Sequence, residues 1–404
     1  MISEFLTIDD FDLKGKTVYC RVDINCPIDV KSKKIADDRR IKNHSKTISD
    51  LDDTKLVVMS HQGRPGDPEF LSLEEHSERL SEILGREVKF VDEVMGSSSR
   101  EAIKKLKEGD ILLLENLRFC SEEVLDKPPE DQARTYLVQR LFPLADCFIN
   151  DAFASAHRSH PSLVGFPLVL PSCIGRVMEM EIKTLSKVKG ERPAIFLLGG
   201  IKVEDSIRLI ESLLKQDVVD QVLTLGLVGI FLNHLKGHEL GDPCVKLIQD
   251  KTSPELVNQT KKLLLRYGEK IKVPLDFAIF KNGVREEVTL EECPVSYPIY
   301  DIGSITIEKY SEIVRDAKIT VWNGPAGVFE HQGSDIGTKR LLEVISKSQS
   351  FSIVGGGHLI SAIEKFGFAD KVDYMSTGGK ALISFLIGDK LPALEVLKES
   401  AKKI

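Results

Sequence analysis

Arginine and histidine side chains recur near the ends of apolar runs in the first half of the chain, and these residue types bind anions. The residues concerned are Arg40, His61, Arg64, Arg118 and Arg158. Guanidinium is a planar fork that holds a carboxylate or a phosphate through two hydrogen bonds. A single arginine more often pairs with an acidic neighbour at the surface. Four at or near successive strand ends predict a site for a small polyanion.

Two polar residues follow the first apolar run. Asp23 and Asn25 are two positions apart, so in an extended chain both side chains point to one face. They could orient the hydroxyl groups of a ligand held by the nearby cations. The alternative is an Asx-type turn that leads into Pro27.

In the second half of the chain the apolar runs end in glycines. The main ones are Gly199-Gly200, Gly324, Gly355–Gly357 and Gly378-Gly379. Glycine lets a ligand approach the backbone, and a helix that begins there presents free N–H groups to an anion. These turns therefore predict a phosphate site, although a plain tight turn would explain any single one.

Two charged residues lie close to these glycines. Lys202 follows Gly199-Gly200 and would add a positive charge to a phosphate site, unless it only marks an exposed helix start. Glu330 lies after Gly324 and could accept hydrogen bonds from a ribose, unless it is a solvated loop carboxylate. The sequence has neither the GxxxxGK[ST] motif of P-loop enzymes nor a GxGxxG dinucleotide fingerprint.

Near-continuous apolar runs alternate with helical patterns, which predicts an α/β protein with parallel sheets covered on both faces. The predicted strands are Thr17–Ile24, Lys55–Ser60, Glu87–Val91, Asp110–Glu115, Cys147–Asn150, Pro193–Leu198, Gln221–Leu225, Lys318–Asn323, Ser352–Val354 and Asp373–Met375. The predicted helices are Leu73–Leu84, Asp131–Leu141, Val203–Leu214, Ser253–Arg266, Asp335–Lys347 and Leu359–Phe366. Ser72 and Glu75 predict a capping box at the first of these helices.

The contrast between the halves predicts two lobes. Residues 1–170 would form an anion-binding lobe and residues 191–385 a nucleotide-binding lobe. Residues 171–190 would join them, with a helix predicted over Pro171–Lys189. Residues 386–404 form a tail in which Pro392 predicts a helix start. Two such lobes facing a cleft would suit phosphoryl transfer, which needs positioning and charge neutralisation more than a covalent nucleophile.

Composition excludes several classes of protein. The chain has 404 residues, a formal net charge of −7 and seven scattered cysteines without a CxxC pair. This modest acidity argues against nucleic acid as the main partner. The cysteines favour a reduced cytoplasmic protein without a zinc site or disulfides. No apolar run approaches the roughly 18 residues that would span a membrane, and the first residues do not resemble a signal peptide.

Two other functions remain open on these residues alone. A two-lobed binding protein could close on an anion without chemistry, although it would not need the glycine-rich second half. A dehydrogenase would need the dinucleotide fingerprint that the sequence lacks.

Several motifs together resemble the phosphoglycerate kinase family, in the family's order and over roughly residues 15–395. They are Arg21–Asn25, Ser60–Pro65, Leu114–Phe119, Asn150–Phe153, Ala156–Arg158, Leu198–Val203, Val321–Pro325, Gly327–Glu330, Gly355–Gly357 and Ser376–Gly379. The resemblance implies two Rossmann-like three-layer lobes separated by a cleft, with the C-terminal tail packed back on the first. It also implies the reaction 1,3-bisphosphoglycerate + ADP ⇌ 3-phosphoglycerate + ATP, a step of glycolysis, with Mg²⁺ carried mainly by the nucleotide.

The resemblance also implies roles for individual residues. Those implied to act in catalysis are Arg40, Lys202, Gly356 and Gly379. Those implied to bind phosphoglycerate are Asp23, Asn25, Arg40, His61, Gln62, Gly63, Arg64, Arg118 and Arg158. Those implied to bind ADP or ATP are Gly199, Gly200, Lys202, Asn323, Glu330, Gly355, Gly356, Gly357 and His358. The expected partners are these small molecules, and the expected assembly is a monomer or a homodimer.

Three positions depart from the common pattern of the family. His358 stands where most members have an aspartate near the magnesium ion, and Ser206 stands where most have a second lysine. Both are similar to the archaeal branch. Lys380 replaces a third glycine and could supply the charge that Ser206 lacks, or point into solvent.

Overall fold

The computed structural model describes residues 2–403. The chain divides into two compact units, each with its own sheet and core. One contains the chain as far as Thr184 together with the segment from Gly388 onward, and the other contains Leu185–Ile387. No helix of the described part of the chain is both long and apolar enough to cross a membrane.

The first unit is built on a six-stranded parallel sheet with a two-stranded ribbon beside it. Its strands are β1 (Thr17–Arg21), β2 (Ile28–Asp29), β3 (Lys34–Ile35), β4 (Lys55–Met59), β5 (Val88–Val91), β6 (Ile111–Leu114), β7 (Cys147–Asn150) and β8 (Ser172–Ile174). The sheet order is β5-β6-β4-β1-β7-β8, and β2 pairs with β3 in the ribbon.

Helices cover both faces of this sheet. They are α1 (Arg39–Ser49), α2 (Glu74–Leu84), α3 (Ser97–Lys104), α4 (Pro129–Gln132), α5 (Tyr136–Leu141) and α6 (Arg176–Lys187). Val18 and Cys20 of β1 share a buried cluster with Ile41 of α1. Tyr19, between them, faces a second cluster that contains Leu137 of α5. The apolar strand residues therefore serve two cores, as expected for a three-layer fold.

The second unit repeats this arrangement with a second parallel sheet. Its strands are β9 (Ala194–Leu198), β10 (Gln221–Thr224), β11 (Ile271–Lys272), β12 (Asp276–Lys281), β13 (Val284–Thr289), β14 (Ile299–Ile302), β15 (Ile319–Asn323), β16 (Phe351–Gly355) and β17 (Tyr374–Met375). The parallel sheet has the order β11-β10-β9-β15-β16-β17. The predicted α/β fold with parallel sheets is confirmed.

The helices of the second unit lie between these strands along the chain. They are α7 (Val203–Lys215), α8 (Gly226–Leu235), α9 (Asp242–Lys251), α10 (Pro254–Tyr267), α11 (Ser304–Asp316), α12 (Ile336–Ile345), α13 (Gly357–Lys365) and α14 (Lys380–Leu386). Leu197 and Trp322 of adjacent strands share a buried cluster with Tyr310 of α11 and Leu341 of α12. The last helix, α15 (Pro392–Ala401), packs against β8 in the first unit.

The sequence did not predict the three-stranded antiparallel sheet of the second unit, which has the order β13-β12-β14. Its edge strand β13 has the sequence VREEVT, and none of its residues is fully buried. Charged residues in an exposed strand give no apolar run, so the pattern that revealed the other strands is missing here.

The predicted helix over Pro171–Lys189 is wrong at its beginning. Residues Ser172–Ile174 form β8, which pairs in parallel with β7, and α6 begins only at Arg176. The carboxylate of Asp151 accepts hydrogen bonds from the first amides of α6, those of Val177 (2.8 Å) and Met178 (3.1 Å). A side chain distant in sequence therefore fixes the start of this helix.

Two smaller predictions also fail. The capping box does not form: the Ser72 hydroxyl accepts from the Glu74 amide (3.2 Å) and donates to Glu115 (2.6 Å), and the Glu75 carboxylate accepts from the Ile35 amide (3.2 Å). The helix predicted over Asp131–Leu141 is divided into α4 and α5. Thr135, between them, has an extended backbone that interrupts the helix.

Candidate active site

The anion-binding residues of the first unit follow the carboxyl ends of four adjacent strands, β6, β4, β1 and β7. Arg118 follows β6, His61 and Arg64 follow β4, Asp23 and Asn25 follow β1, and Arg158 lies beyond β7. Arg40 is the second residue of α1. The order of strands in the sheet thus gathers residues that are far apart in sequence, at the edge where ligands of open α/β sheets bind.

His61 is held as a neutral hydrogen-bond donor. Its Nδ1 lies 3.0 Å from an Nη2 of Arg21, and guanidinium can only donate. Nδ1 is therefore the acceptor and Nε2 carries the proton. Burial lowers the pKa of His61 well below its ordinary value, with the charges of Arg21 and Arg118 acting in the same direction against Asp23. The imidazole can donate to a ligand oxygen without adding charge.

Arg21 is itself buried and paired. Its Nε donates to the Ser162 hydroxyl (2.8 Å), and its Nη2 lies 3.9 Å from the carboxylate of Glu123, which accepts from the same hydroxyl. Nothing in the sequence indicated a role for Glu123. It lies in a short irregular segment, Ser121–Val124, whose charged residues give no sign that one of them is buried.

Asp23 connects the first strand to Arg40. Its Oδ1 accepts from Arg40 (2.8 Å) and its Oδ2 accepts from the Ser155 hydroxyl (2.9 Å). Burial would raise the pKa of Asp23, but the charge of Arg40, together with that of Arg21, lowers it far below the ordinary value. Oδ1 also accepts from the Asn25 amide (3.3 Å), so the Asx-type turn is present as well.

The positive charges of the remaining arginines destabilise one another. Burial lowers the pKa of Arg118 to about 10, and the charge of Arg158 lowers it in the same direction. Burial and then the charge of Arg64 lower the pKa of Arg158. Cations that destabilise one another favour an anion among them, because it offsets both the desolvation and the mutual repulsion.

Gln62 and Gly63 build the loop that carries Arg64. The side-chain amide of Gln62 donates to the Cys26 carbonyl (2.9 Å), and its oxygen accepts from the Cys26 amide (2.9 Å) and from His76 (3.1 Å). The backbone of Gln62 is engaged as well, since its amide donates to the Asn116 side chain (3.2 Å) and its carbonyl accepts from it (2.8 Å), so Gln62 supports the loop. The Gly63 amide donates to Asn25 (2.9 Å) and its carbonyl accepts from Arg118.

The predicted nucleotide residues of the second unit follow β9, β15 and β16, which are neighbours in the sheet. Asn323 ends β15, and Gly356 precedes α13 with a φ of +89°. A Cβ on Gly356 would lie 2.8 Å from the side-chain oxygen of Asn323. Asn323 and the start of α13 are therefore adjacent, and the free amides of a helix start there suit an anion.

Packing within the protein explains part of the glycine pattern. A Cβ on Gly199 would lie 2.2 Å from the Pro325 carbonyl oxygen, and one on Gly324 would lie 2.5 Å from the Gly199 carbonyl oxygen. The turns after β9 and β15 thus touch backbone to backbone. In contrast, a Cβ on Gly357 would meet nothing within 4 Å. Space for a ligand is therefore greater at the start of α13 than at Gly199.

Glu330 and His358 meet near that helix start. The Nδ1 of His358 lies 3.6 Å from a carboxylate oxygen of Glu330, and both side chains are more than half exposed. Two further cations lie at helix starts, because Lys202 precedes α7 and Lys380 begins α14 directly after Gly379, and both are exposed. Ser206, in contrast, is buried.

A family model for phosphoglycerate kinase matches residues 8–389 of this sequence. The chain belongs to the phosphoglycerate kinase family.

Curated relatives and solved structures agree with this family assignment. The phosphoglycerate kinase of Methanothermus fervidus is 47% identical over 404 residues, which cover 99% of this chain and 98% of the relative. That of Sulfurisphaera tokodaii is 48% identical over 398 residues, 97% and 95% of the two chains. The crystal structure of phosphoglycerate kinase from Pyrococcus horikoshii OT3 superimposes with a TM-score of 0.91 at 40% identity, and covers 99% of this chain and 100% of that one. The resemblance to the archaeal branch is confirmed.

Proposed function

We propose that this protein transfers a phosphoryl group reversibly between 1,3-bisphosphoglycerate and ADP, giving 3-phosphoglycerate and ATP. The observation that carries the proposal is the site of the first unit, where mutually destabilising arginines converge with a neutral histidine and a buried aspartate. This combination suits a small ligand that carries both phosphate and hydroxyl groups.

Each group in the first unit has a chemical part in this proposal. Arg64, Arg118 and Arg158 bind the phosphate that is not transferred, because they provide hydrogen-bond donors and positive charge that the neighbouring carboxylates do not fully neutralise. His61, through Nε2–H, and Asp23 orient the hydroxyl and carboxyl groups of phosphoglycerate. Asn25, the side chain of Gln62 and the Gly63 amide keep the ligand-binding loop in place.

Arg40 is proposed to stabilise the transferring phosphoryl group. Arg40 pairs with the buried Asp23, which fixes the start of α1 relative to β1. About a third of the Arg40 side chain is exposed. Phosphoryl transfer spreads charge over three equatorial oxygens, and a cation aimed at them supplies electrostatic stabilisation. Lys202 is proposed to supply a second positive charge from the nucleotide side.

The second unit is proposed to bind ADP and ATP. The amides at Gly355–Gly357 would meet the phosphates, with His358 donating to one of them and Gly379 presenting the start of α14. Glu330 would accept from the ribose hydroxyls, and Asn323 would fix the turn between these groups. Gly199 and Gly200 shape the neighbouring turn through their backbone contacts. We predicted that Lys380 supplies the positive charge that is missing at Ser206, and this stays a prediction.

Mg²⁺ is proposed to arrive with the nucleotide. Within residues 2–403, no three His, Cys, Asp or Glu side chains are grouped to hold a metal ion. Near the start of α13, Glu330 is the carboxylate paired with His358, and imidazole is a poor ligand for so hard an ion. These residues fit a magnesium ion whose ligands are phosphate oxygens and water. Bound there, the ion would neutralise phosphate charge.

A coupled assay tests the proposed reaction. Purified protein is supplied with ATP, Mg²⁺ and 3-phosphoglycerate, and formation of 1,3-bisphosphoglycerate is followed through a reductive second enzyme. The proposal expects turnover that needs all three components. A binding protein without chemistry would bind phosphoglycerate in calorimetry but would show neither turnover nor ADP binding. We further propose that the protein works in the cytoplasm, in glycolysis, as a monomer or homodimer.

A further inference from the structure

The loop that carries Glu330, residues 324–334, is held from several sides. The Val328 amide donates to the Tyr300 carbonyl of β14 (2.9 Å). Lys365, the last residue of α13, donates to the Phe329 carbonyl (3.0 Å). Arg285 of β13 donates to the Gly333 carbonyl (2.8 Å). Fixed points thus lie on both sides of Glu330, whose own side chain is more than half exposed.

Arg285 is the residue that connects this loop to a buried charge. Its Nη1, which binds Gly333, also donates to the Asp301 carboxylate (3.0 Å), and its Nη2 donates to the Ile302 carbonyl (2.9 Å). Asp301 is 2% exposed and accepts from the Gly337 amide at the start of α12 (2.8 Å). One guanidinium therefore joins β13, the end of β14 and the Glu330 loop.

The charge of Asp301 depends on this contact. Burial raises the pKa of Asp301 to about 7, while the Gly337 amide and Arg285 act in the opposite direction. Without Arg285 the carboxylate would lose its counter-charge in a buried place, so it would take up a proton or rearrange. Loss of Arg285 would at the same time remove its hydrogen bond to the Gly333 carbonyl of the loop.

The residue after Glu330 is held by the same antiparallel sheet. The ring of His331 stacks on Tyr300 of β14 with centroids 5.3 Å apart. It also meets the ring of Phe280, on β12, edge-on at 4.6 Å. All three strands of this sheet thus contact the loop, through Phe280, Arg285 and Tyr300. The antiparallel sheet therefore holds the segment that presents Glu330 in place.

We propose that Arg285 is a positioning residue for the nucleotide: through Asp301 and Gly333 it fixes the loop that presents Glu330 to the ribose. The inference rests on the proposed nucleotide site. A loop fixed before binding spares the ligand the entropic cost of ordering it. Arg285 therefore increases affinity for ADP and ATP without touching them, and it has no part in phosphoglycerate binding.

The test compares the wild type with Arg285→Lys, which keeps the charge but lacks the planar fork that reaches four acceptors at once, Glu287 among them. The matched control is Glu286→Gln, an exposed neighbour on β13. Calorimetry gives Kd for Mg·ADP and, separately, for 3-phosphoglycerate, and the coupled assay gives kcat at saturating substrates. We expect Arg285→Lys to raise Kd for Mg·ADP roughly ten-fold, a loss typical of re-ordering a short loop. Kd for 3-phosphoglycerate and kcat stay unchanged, as do all three values in Glu286→Gln.

Several outcomes would overturn the inference. An unchanged Kd for Mg·ADP in Arg285→Lys contradicts it, and so does an equal loss of both affinities, which would indicate general disruption. If Arg285→Lys does not fold, the double variant Arg285→Met with Asp301→Asn, which removes both charges, is judged by the same criteria.

A double-mutant cycle separates this inference from the proposed function. In a Glu330→Gln background the effect of Arg285→Lys should largely disappear, because the group being positioned is gone. A full ten-fold effect there would contradict positioning through Glu330. If the wild type does not bind Mg·ADP at all, the nucleotide site itself is wrong and this inference with it. That failure is distinguishable because it is visible before any substitution.

Discussion

At the scale of single residues, the groups most informative about function are charged side chains whose charge is not neutralised by a partner of opposite sign. Arg118 is buried among other cations, and its guanidinium binds a backbone carbonyl, not a carboxylate. Arg40, in contrast, is paired with Asp23. The two arginines therefore have different parts in the proposed reaction, and substitutions should separate ligand binding from catalysis.

Arg118→Ala should weaken phosphoglycerate binding alone. Loss of one charge-assisted hydrogen-bonded pair costs about 1.5–3 kcal/mol, which is roughly one to two decades in Kd. The affinity for Mg·ADP should stay close to that of the wild type, since the nucleotide residues belong to the other unit. Calorimetry with each ligand measures both values. The control is Arg86→Ala, at a partly exposed arginine between α2 and β5. Equal losses of both affinities would contradict the assignment.

Arg40→Ala should lower kcat more than it raises KM for phosphoglycerate. A group that meets charge as it develops acts in the transition state, whereas a group that binds the ground state changes mainly KM. Steady-state kinetics with varied 3-phosphoglycerate at saturating Mg·ATP gives both numbers. Because Arg40 also pairs with Asp23, thermal unfolding must show that the variant is folded. A raised KM with an intact kcat would show that Arg40 is a binding residue only.

At the scale of secondary structure, buried histidines tie the loops of the first unit to its helices. His76 of α2 donates from Nε2 to the Gln62 side chain (3.1 Å) and is 1% exposed. Burial lowers the pKa of His76 to about 4. The unfolded chain takes up a proton near pH 6.5, but the folded protein does so only near pH 4. Stability is therefore fully present above pH 6.5 and falls as the pH falls toward 4.

His76→Gln should make the protein less sensitive to acid, because glutamine keeps an N–H donor but takes up no proton. Between pH 7 and pH 5 the wild type should lose about 2 kcal/mol more of its free energy of unfolding than the variant. Urea unfolding followed by circular dichroism at both values measures this difference. His238→Gln, at a partly exposed histidine of the second unit, is the control. Parallel pH dependence in the wild type and His76→Gln would refute the argument.

The parallel sheets were predictable because their strands are covered on both faces and read as continuous apolar runs. β7 was predicted with its observed bounds, Cys147–Asn150, and β1 was predicted to end at Ile24 where it ends at Arg21. The predictions failed where a group distant in sequence determines how a helix begins. The Glu75 carboxylate binds the distant Ile35 amide instead of capping its own helix, and Asp151 fixes the start of α6.

The candidate site was likewise predictable only in part. Residue types and strand ends predicted which cations would gather, because parallel order brings carboxyl ends to one edge. The partners that set their chemistry were not predictable. Nothing near Glu123 in sequence indicates its buried place beside Arg21, and Arg285 lies in a strand without an apolar pattern. Similarly, Gly199 and Gly324 have the composition of a phosphate loop, but their contacts are with each other.

At the scale of the whole molecule, the residues proposed to carry out the reaction are divided between two units of the chain. The cations from Arg40 to Arg158 belong to one unit, and the residues from Gly199 to Gly379 belong to the other. In-line transfer requires the attacking and leaving oxygens to lie on opposite sides of one phosphorus atom. On the proposed assignment each unit binds one of the two ligands, so we expect the units to move when both ligands are bound.

The radius of gyration should therefore fall when both ligands are bound. Small-angle scattering would compare the free protein, the complex with 3-phosphoglycerate, the complex with Mg·ADP and the complex with both. This pair of ligands has no phosphoryl group to transfer, so the last complex does not turn over. We expect it to be more compact than either binary complex, since each ligand alone contacts half of the site. Arg118→Ala, at a concentration of 3-phosphoglycerate that saturates only the wild type, should stay as open as the complex with Mg·ADP. An equal radius in all four states of the wild type would mean that the units already hold the ligands at reacting distance, and closure would not be a step of the reaction.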